Sequence, residues 1–296
     1  MAVINRSKPY KKENLEKLHA AQLAILKDFH EFCMAHKIRY FAVYGTAIGA
    51  VRHHGFIPWD DDIDVGMLRE DYDRFLSLSH ELAPKYRIMT PLKNKDYSCT
   101  VTHLQNKDTL FVSEELKHQP FPMCIDLDIF PFDRVAPEEK ASIKQQKRAT
   151  MLGRILFLIG TAHPYVATQG IKGRIQRTVC TIGHGVLKLF HVSPAYVYKK
   201  YLKAATQYNH TGSPFVTSFE YAGGIKDKVK AKDLFPLEKV MFEDVEIMLP
   251  HNNHEFLTKV YGDYMEIPPK GMQINHSPFL LKFEGAEVLR QDRGEI

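Results

Sequence analysis

Hydrophobic positions recur with two different periods along the chain, and these periods predict helices and strands. Apolar side chains at residues 12–36 have a largely helical spacing with Lys and Glu between them, which predicts an amphipathic N-terminal helix. Similar helical patterns occur at 71–82, 137–157, 170–205 and 253–261. Runs rich in aromatic and β-branched residues predict strands at 39–44, 62–66, 87–89, 124–130, 215–221, 240–242 and 245–249.

The connections between these segments are also predictable in part. We expect a short helix at 46–53 directly after the first strand, and a hairpin of strands 100–104 and 109–112. The pattern changes from strand-rich to helix-rich near residue 136. The sequence therefore predicts an α/β (α+β) protein with a core at 1–136 and a helix-rich region with short strands at 137–296.

Composition changes this picture little. The 296-residue chain is 44% hydrophobic and 25% charged, as ordinary globular proteins are. Its net charge of +5 permits an anionic partner without requiring one. The four cysteines form no CxxC pair, which argues against a structural zinc site of the usual spacing. Residues 1–19 contain no apolar segment typical of a signal peptide, so we expect a cytoplasmic protein.

The segment 44–66 has the features of a phosphate-binding turn. Gly45 and Thr46 lie where a predicted strand leads into a helix, and the free N–H groups of a helix N-terminus bind phosphate oxygens. Gly45 has no side chain, so the backbone can approach a ligand closely. Arg52 follows at the end of the short helix, where it fits either a clamp for a donor phosphate or an ion pair with a nearby aspartate.

The same segment ends in a dense group of carboxylates at Asp60, Asp61, Asp62 and Asp64. Asp62 and Asp64 are two positions apart on a predicted strand, so their side chains share one face. Neighbouring carboxylates repel each other unless a hard cation such as Mg²⁺ neutralises them. A solvated acidic turn is the alternative, but the apolar residues Trp59, Ile63 and Val65 between the acids favour a strand that packs on a core.

A further carboxylate is needed to complete a metal site for phosphoryl transfer. Asp126 and Asp128 are also two apart on an alternating strand, and either of them fits this role. The alternative is that the pair simply lies on an exposed strand face. The acidic segment upstream favours a role in metal binding.

Three blocks of the sequence resemble the signature of the LicD-type phosphotransferases, which include the fukutin-like proteins. The first block is 44–75, the second is DLDIFPFD at 126–133, and the third is 242–269. The resemblance implies a nucleotidyltransferase (polymerase-β-like) mixed-sheet core with an added N-terminal helix and a helical C-terminal half. Asp60, Asp62 and Asp64 match the acidic part of the first block, and Asp128 matches the Asp that opens the family's second motif. Asp126 stands where the family more often has an apolar residue.

The resemblance also implies a reaction. It is the transfer of phosphocholine from CDP-choline, or a related CDP-alcohol, to a teichoic acid or lipopolysaccharide sugar, with release of CMP. The expected cofactor is Mg²⁺, with Mn²⁺ as the alternative. We expect Asp62 and Asp64, assisted by Asp60, to hold one ion, and a second ion to be shared with Asp128. These expectations make Asp62, Asp64 and Asp128 the candidate catalytic residues, and no nucleic acid partner is expected.

Several further residues are candidates for binding, although turn or core roles explain each of them equally well. Lys107 and Thr109 in a family-like turn are candidates for contact with the donor phosphate. His276 is a candidate for the acceptor side. The candidates for contact with choline or the base are Tyr44, Trp59 and Tyr261, with Phe56, Tyr72, Phe130 and Tyr221 as less specific alternatives.

Basic segments at 144–154 and 172–203 suggest one more partner. They fit the anionic inner surface of a membrane, where a lipid-linked glycan acceptor would be found, or else simply a solvated helix face.

Rival functions are transfer of glycerol phosphate, ribitol phosphate or a nucleotidyl group, and a non-enzymatic module that binds a nucleotide for regulation.

Overall fold

The protein contains both helices and strands in a computed structural model that describes residues 9–166, 168–220, 223–276 and 278–296. The helices are α1 (Lys12–Ala35), α2 (Tyr44–Arg52), α3 (Arg69–Leu78), α4 (Glu139–Gly160), α5 (Gly170–Leu189), α6 (Pro194–Ala205) and α7 (Asn253–Tyr261). The strands are β1 (Phe41–Ala42), β2 (Asp64–Leu68), β3 (Tyr86–Met89), β4 (Thr102–Asn106), β5 (Leu110–Ser113), β6 (Asp126–Arg134), β7 (Phe215–Thr217), β8 (Val229–Lys230), β9 (Glu238–Phe242), β10 (Val245–Leu249), β11 (Pro278–Lys282) and β12 (Leu289–Arg290).

The central sheet is mixed and places β6 at its middle. Its strand order is β1-β2-β6-β4-β3, and β7 extends it by pairing with the end of β6. Strands β2 and β6 are parallel, whereas β4 runs antiparallel to β6. The apolar residues that alternate along β2 and β6 are almost fully buried, because helices cover the sheet. The predicted α+β class is confirmed.

The main hydrophobic core lies between this sheet and α1. Leu18, Ile25 and Phe29 of α1 are fully buried in it, which confirms the predicted amphipathic helix. A second hydrophobic cluster lies between α4 and α6, where Leu156 packs near Tyr201. The helical half of the chain is therefore built around a cluster of its own, next to the sheet.

A buried ion pair fixes the end of β6 to α3. The guanidinium of Arg69 donates two hydrogen bonds to the carboxylate of Asp133, from Nε to Oδ1 at 2.8 Å and from Nη2 to Oδ2 at 2.6 Å. Asn209 donates a further bond to Asp133 Oδ1 at 2.8 Å. A buried carboxylate is costly unless it is paired with a positive charge and its oxygens accept hydrogen bonds, and Asp133 meets both conditions. This pair holds the strand that carries Asp128.

Two sequence predictions about strands need correction. The strand expected at 39–44 is reduced to β1, because α2 already begins at Tyr44. The hairpin expected around 106–108 does not form: β4 pairs with β3 and β6, while β5 pairs with β11. Both edges of β4 are occupied by other strands, so the turn after it sends the chain into a separate small sheet.

Asp62 and the segment 215–221 also differ from expectation. Asp62 precedes β2 instead of lying within it. The strand expected at 215–221 ends at Thr217, and Tyr221 lies outside the described residues.

The division into 1–136 and 137–296 stays a prediction, and β7 and β11 from the second part join sheets of the first. Of the helices described, none has the length and apolar character to cross a bilayer.

Candidate active site

The ends of two parallel strands bring Asp64 and Asp128 side by side. The two residues are direct partners in the register of β2 and β6, and the Asp128 N–H donates to the Ile63 carbonyl at 2.8 Å. The backbone N–H of Asp64 donates to Thr46 Oγ1 at 2.8 Å. Thr46 of α2 thus fixes the start of β2, and the helix N-terminus lies beside the carboxylates.

The loop before β2 is held by its own aspartate. Asp61 is almost fully buried, and its carboxylate accepts hydrogen bonds from Tyr10 Oη at 2.6 Å and from the His276 N–H at 2.9 Å. The carbonyl oxygen of Asp61 accepts a bond from Gln22 Nε2 at 2.7 Å. Asp61 therefore orders the acidic loop, and its contacts tie that loop to α1 and to the C-terminal segment.

The absence of a side chain at Gly45 makes room for Asp60. A Cβ atom at Gly45 would lie 2.6 Å from Asp60 Oδ2, closer than real Cβ contacts allow. The sequence pointed to close approach of a phosphate at this glycine, and the structure shows that a carboxylate uses the space. Asp60 thereby lies against the first turn of α2, where the helix dipole favours a negative charge.

Strand β4 adds a histidine that sequence reasoning did not identify. His103 is the register partner of Asp128, and its Nδ1 lies 2.5 Å from Asp128 Oδ1 and 3.1 Å from Asp126 Oδ2. Gln105, two residues further along the same face, donates to Asp126 Oδ2 at 3.3 Å. A polar residue at alternate positions of this buried strand, His103 then Gln105, is the signal that could have pointed to it.

The acidic residues share a strongly perturbed electrostatic environment. The pKa of Asp62 is raised to about 6. Burial is the largest cause, the charges of Asp61 and Asp128 act in the same direction, and His276 opposes them. Burial, together with Asp62 and Asp128, also raises the pKa of Asp64 well above its ordinary value. The carboxylates thus lie close enough to oppose one another's ionisation.

The two histidines respond in the opposite sense. Burial alone would lower the pKa of His103, but Asp128 and Asp126 outweigh it and raise that pKa to about 10. Burial would likewise lower the pKa of His276, which Asp62 and Asp61 raise well above its ordinary value. Both imidazoles therefore carry positive charge at neutral pH and partly neutralise the carboxylates.

Residues of this cluster fit a divalent cation. One ligand atom each from His103, Asp126 and Asp128 lies within 4.8 Å of the others. His103 Nδ1 is buried and has no well-aligned hydrogen bond in the part of the chain described, although carboxylate oxygens are near. A protonated imidazole does not ligate a metal, so the carboxylate oxygens of Asp126 and Asp128 are the ligands that this group offers to a cation. Asp62 and Asp64 add oxygen donors, which Mg²⁺ and Mn²⁺ prefer.

A cavity of about 300 Å³ opens directly onto the cluster. Asp62, Asp126 and Asp128 line it together with His103 and His276. Other lining residues are Phe111, Phe157 and Glu115. A larger cavity of about 1000 Å³ shares Thr100, Glu115, Gly153 and Phe157 with the first and extends along α4 to α6. The carboxylates are therefore accessible to a substrate.

Two of the predicted phosphate-binding residues, Arg52 and Thr109, have side chains that take part in internal contacts, whereas that of a third, Lys107, does not within the described part of the chain. The Arg52 guanidinium donates to the carbonyl oxygens of Tyr264 and Glu266. Thr109 Oγ1 donates to the Asn106 carbonyl at 2.8 Å and accepts from the Ile125 N–H at 2.9 Å. Lys107 is exposed in the turn after β4. Their roles toward a donor stay predictions.

The aromatic candidates are scattered. Tyr44 is buried near Phe130, with the ring centroids 5.3 Å apart. Trp59 is half-buried, with the Arg52 guanidinium 6.0 Å from its ring, and Tyr261 is exposed at the end of α7. Phe56 and Tyr72 are buried in the main core. Among the described residues, the aromatic rings that line the smaller cavity are those of Phe111, Phe157, His103 and His276.

His276, predicted for the acceptor side, lies against the acidic loop. Its Nδ1 is 3.0 Å from Asp61 Oδ1 and 3.4 Å from Asp62 Oδ2. It reaches this place because the C-terminal segment crosses over the loop before β2. Its imidazole is half exposed and lines the smaller cavity, so a substrate bound there would meet it.

The raised pKa of Asp62 predicts how stability depends on pH. The Asp62 side chain is 26% exposed, and its pKa of about 6 in the folded state exceeds 3.8, its ordinary value. As pH rises from about 4 to 6, the unfolded chain loses this proton first, so the carboxyl group costs the metal-free protein stability. We expect Asp62→Asn in EDTA to raise the free energy of unfolding by about 2 kcal/mol at pH 7 and to have no effect below about pH 3.

Urea denaturation at a series of pH values measures this difference. The matched control is Asp244→Asn, which changes an exposed carboxylate in the turn between β9 and β10 and should leave the difference near zero at every pH. If the Asp62 variant were less stable than the wild type at pH 7, the repulsion among these carboxylates would not exist as described.

Comparison with known proteins finds similarity to one family. The family model described as LicD/FKTN/FKRP, nucleotidyltransferase domain, matches residues 37–152. The lipopolysaccharide cholinephosphotransferase LicD of Haemophilus influenzae is 29% identical over 269 residues, which are 90% of this chain and 97% of that protein. An uncharacterised protein of Rickettsia typhi is 38% identical over 72 residues, or 24% of this chain and 22% of that protein. One of Rickettsia prowazekii is 49% identical over 47 residues, or 16% of this chain and 18% of that protein.

The matched region contains α2, β2, β4 and β6, and with them every carboxylate of the cluster. Residues 37–152 thus resemble the LicD/FKTN/FKRP nucleotidyltransferase domain, and nearly the whole chain is similar to a lipopolysaccharide cholinephosphotransferase.

Proposed function

We propose that this protein transfers phosphocholine from CDP-choline to a hydroxyl group of a glycan and releases CMP. The observation that carries the proposal is the meeting of Asp62, Asp64 and Asp128 beside a cavity. Similarity to the Haemophilus cholinephosphotransferase over 90% of the chain supports phosphocholine as the transferred group. It also supports a lipopolysaccharide sugar as the acceptor, with teichoic acid as the alternative.

In the proposed reaction the acceptor oxygen attacks the phosphorus that carries choline. The bond from this phosphorus to the bridging oxygen breaks, its electron pair leaves with CMP, and the acceptor hydroxyl releases its proton to water. We assign Asp62, Asp64 and Asp128, with Asp60 assisting, to hold Mg²⁺. When bound, such an ion neutralises charge on the diphosphate and favours loss of the hydroxyl proton.

The surrounding residues hold these carboxylates in place. Thr46 fixes the backbone of Asp64, and His276 and Tyr10 fix the loop through Asp61. His103 keeps its proton at neutral pH because its pKa is raised to about 10, so it orients Asp126 and Asp128 and does not act as a base. The first turn of α2 after Gly45 supplies N–H groups for phosphate oxygens.

The smaller cavity suits a phosphocholine head group. Phe111 and Phe157 offer aromatic surfaces to a quaternary ammonium, and Glu115 adds a negative charge at the same wall. The larger cavity, which continues from Phe157 past Lys147 and Arg154, has room for the rest of the substrates. We propose that residues 1–136 form the catalytic core and that the helical part contributes to the acceptor side.

A donor-binding experiment separates this proposal from its rivals. Isothermal titration with Mg²⁺ present should show CDP-choline binding more tightly than CDP-glycerol or CDP-ribitol, by about ten-fold for a cation–π contact with a desolvated ammonium. Tighter binding of CDP-glycerol or CDP-ribitol would assign a different phospho-alcohol. Release of pyrophosphate from CTP would indicate nucleotidyl transfer. Nucleotide binding without metal-dependent turnover, with lipopolysaccharide or teichoic acid as acceptor, would favour a regulatory module.

A further inference from the structure

Helix α5 presents an apolar face to solvent. Six residues spaced three or four apart lie on one side of it, and they are between 47% and 78% exposed: Ile171, Ile175, Val179, Ile182, Val186 and Leu189. Phe190 directly after the helix is 72% exposed. A contiguous apolar surface of this kind is unusual on a protein that meets only water.

The other side of α5 already packs on the protein. Gly173 is buried, and a Cβ atom at Gly183 would lie 2.9 Å from Leu158 of α4. His184 Nδ1 lies 2.8 Å from the Leu158 carbonyl oxygen. Gly183 lets α5 approach α4 closely, and Gly173 packs against the Thr168 carbonyl of the preceding loop, so α5 is fixed with its apolar face outward.

The charged residues in the part of the sequence that contains this face have a single sign. Residues 140–219 contain twelve of the chain's 40 Lys and Arg residues and none of its 35 Asp and Glu residues. Lys172, Arg174, Arg177 and Lys188 belong to α5 itself, and all four are exposed. Lys199 and Lys200 of α6, the next helix along the chain, are exposed as well, and Lys200 Nζ lies 5.4 Å from the centroid of the Tyr196 ring.

We propose that α5 docks this protein on an anionic lipid bilayer, with its apolar face in the interface and its Lys and Arg side chains at the head groups. A helix with one apolar face and basic residues around it has the composition of interfacial helices. Long basic side chains cover apolar surface while their charges reach the lipid phosphates. A second copy of this chain is a poorer partner, because two such surfaces would bring like charges together.

Docking through α5 also orients the active site. Cys180 of α5 lines the larger cavity, which leads along α4 to the cavity at the carboxylates. A substrate embedded in the bilayer would therefore lie close to a cavity that the docked helix itself lines. The docking itself rests on α5 alone, and it holds whichever group the enzyme transfers.

Vesicle sedimentation with the full chain tests the docking. We expect the wild type to bind vesicles with about one-third phosphatidylglycerol at least ten-fold more tightly than pure phosphatidylcholine, and to be released by salt. Ile175→Ser with Val179→Ser and Ile182→Ser should weaken binding about 100-fold. The control triple variant Leu92→Ser, Met241→Ser and Val288→Ser changes exposed apolar residues elsewhere and should bind as the wild type does.

Charge variants and a fluorescent reporter complete the test. Lys172→Glu with Arg174→Glu should weaken binding at least about 30-fold, whereas Lys12→Glu with Lys17→Glu on α1 should have little effect. Tryptophan fluorescence of Val179→Trp should be quenched by brominated lipid, with Trp59 in the wild type as the background. The proposal is overturned if the wild type does not bind anionic vesicles at low salt. It is also overturned if the triple α5 variant, shown by circular dichroism to be folded, binds them as the wild type does. A dimer that sedimentation detects in the wild type and that this variant abolishes would likewise overturn it. CDP-choline titration reports separately on the proposed function.

Discussion

Asp64→Asn is expected to lower phosphocholine transfer to lipopolysaccharide about 10³-fold while leaving the protein folded. The substitution removes an oxygen ligand of high charge from the cation site, and loss of about 4 kcal/mol of transition-state stabilisation corresponds to this factor. Burial and the charges of Asp62 and Asp128 already disfavour the ionised form of Asp64. A neutral amide of the same shape should therefore leave the melting temperature in EDTA unchanged or raise it.

The combination of these two results is what distinguishes a catalytic carboxylate from a structural one. A structural aspartate would lose stability along with activity, as breaking a buried pair usually does. The exposed Asp244→Asn variant provides the control, with wild-type transfer and wild-type melting temperature expected. A transfer rate of Asp64→Asn within about ten-fold of the wild-type rate would show that Asp64 is not a ligand of the catalytic cation.

His103→Ala is expected to lower the free energy of unfolding by about 3 kcal/mol in EDTA, because it leaves Asp126 and Asp128 facing each other without their positive partner. The pKa of His103 is about 10 in the folded protein and 6.5 in its ordinary state. The stabilisation from this histidine is therefore complete below pH 6.5 and lost as pH rises toward 10.

Urea denaturation at a series of pH values in EDTA measures the loss of stability and its dependence on pH. The same measurement with Mg²⁺ shows whether a cation compensates for the missing imidazolium. Added Mg²⁺ should restore more stability to the variant than it gives to the wild type, since a cation replaces the imidazolium between the carboxylates. His30→Ala is the matched control, because the His30 imidazole lies beside the Tyr40 hydroxyl at 2.8 Å and should respond equally to both conditions. Equal losses in the two variants, without rescue by Mg²⁺, would contradict the role assigned to His103.

The acidic residues could be identified from the sequence because their signal is local. Asp60, Asp61 and Asp62 are consecutive, Ile63 alone separates Asp62 from Asp64, and a turn with Gly55 precedes them. The α+β class was likewise predictable from the two hydrophobic periods. That Asp128 would lie beside Asp64 followed only from the family resemblance, because 63 residues separate the two strand partners, and periodicity does not specify which strands pair.

Pairing between distant strands also explains what the sequence did not reveal. His103 looks like any polar residue in a short strand, and only the register of β4 on β6 brings it to Asp128. The turn at 106–108 had the signal of a hairpin, but β3 and β6 already occupy the edges of β4. Gly45 was predicted to make room for a ligand, and long-range packing fills that room with Asp60.

Binding of Mn²⁺, followed by the loss of the EPR signal of free Mn²⁺, tests most directly whether these carboxylates form a cation site. The wild type should bind Mn²⁺ in competition with Mg²⁺. Asp64→Asn and Asp128→Asn should each bind it more than about ten-fold more weakly, and Asp244→Asn should bind it as the wild type does. Equal Mn²⁺ affinity in all four proteins would contradict the account.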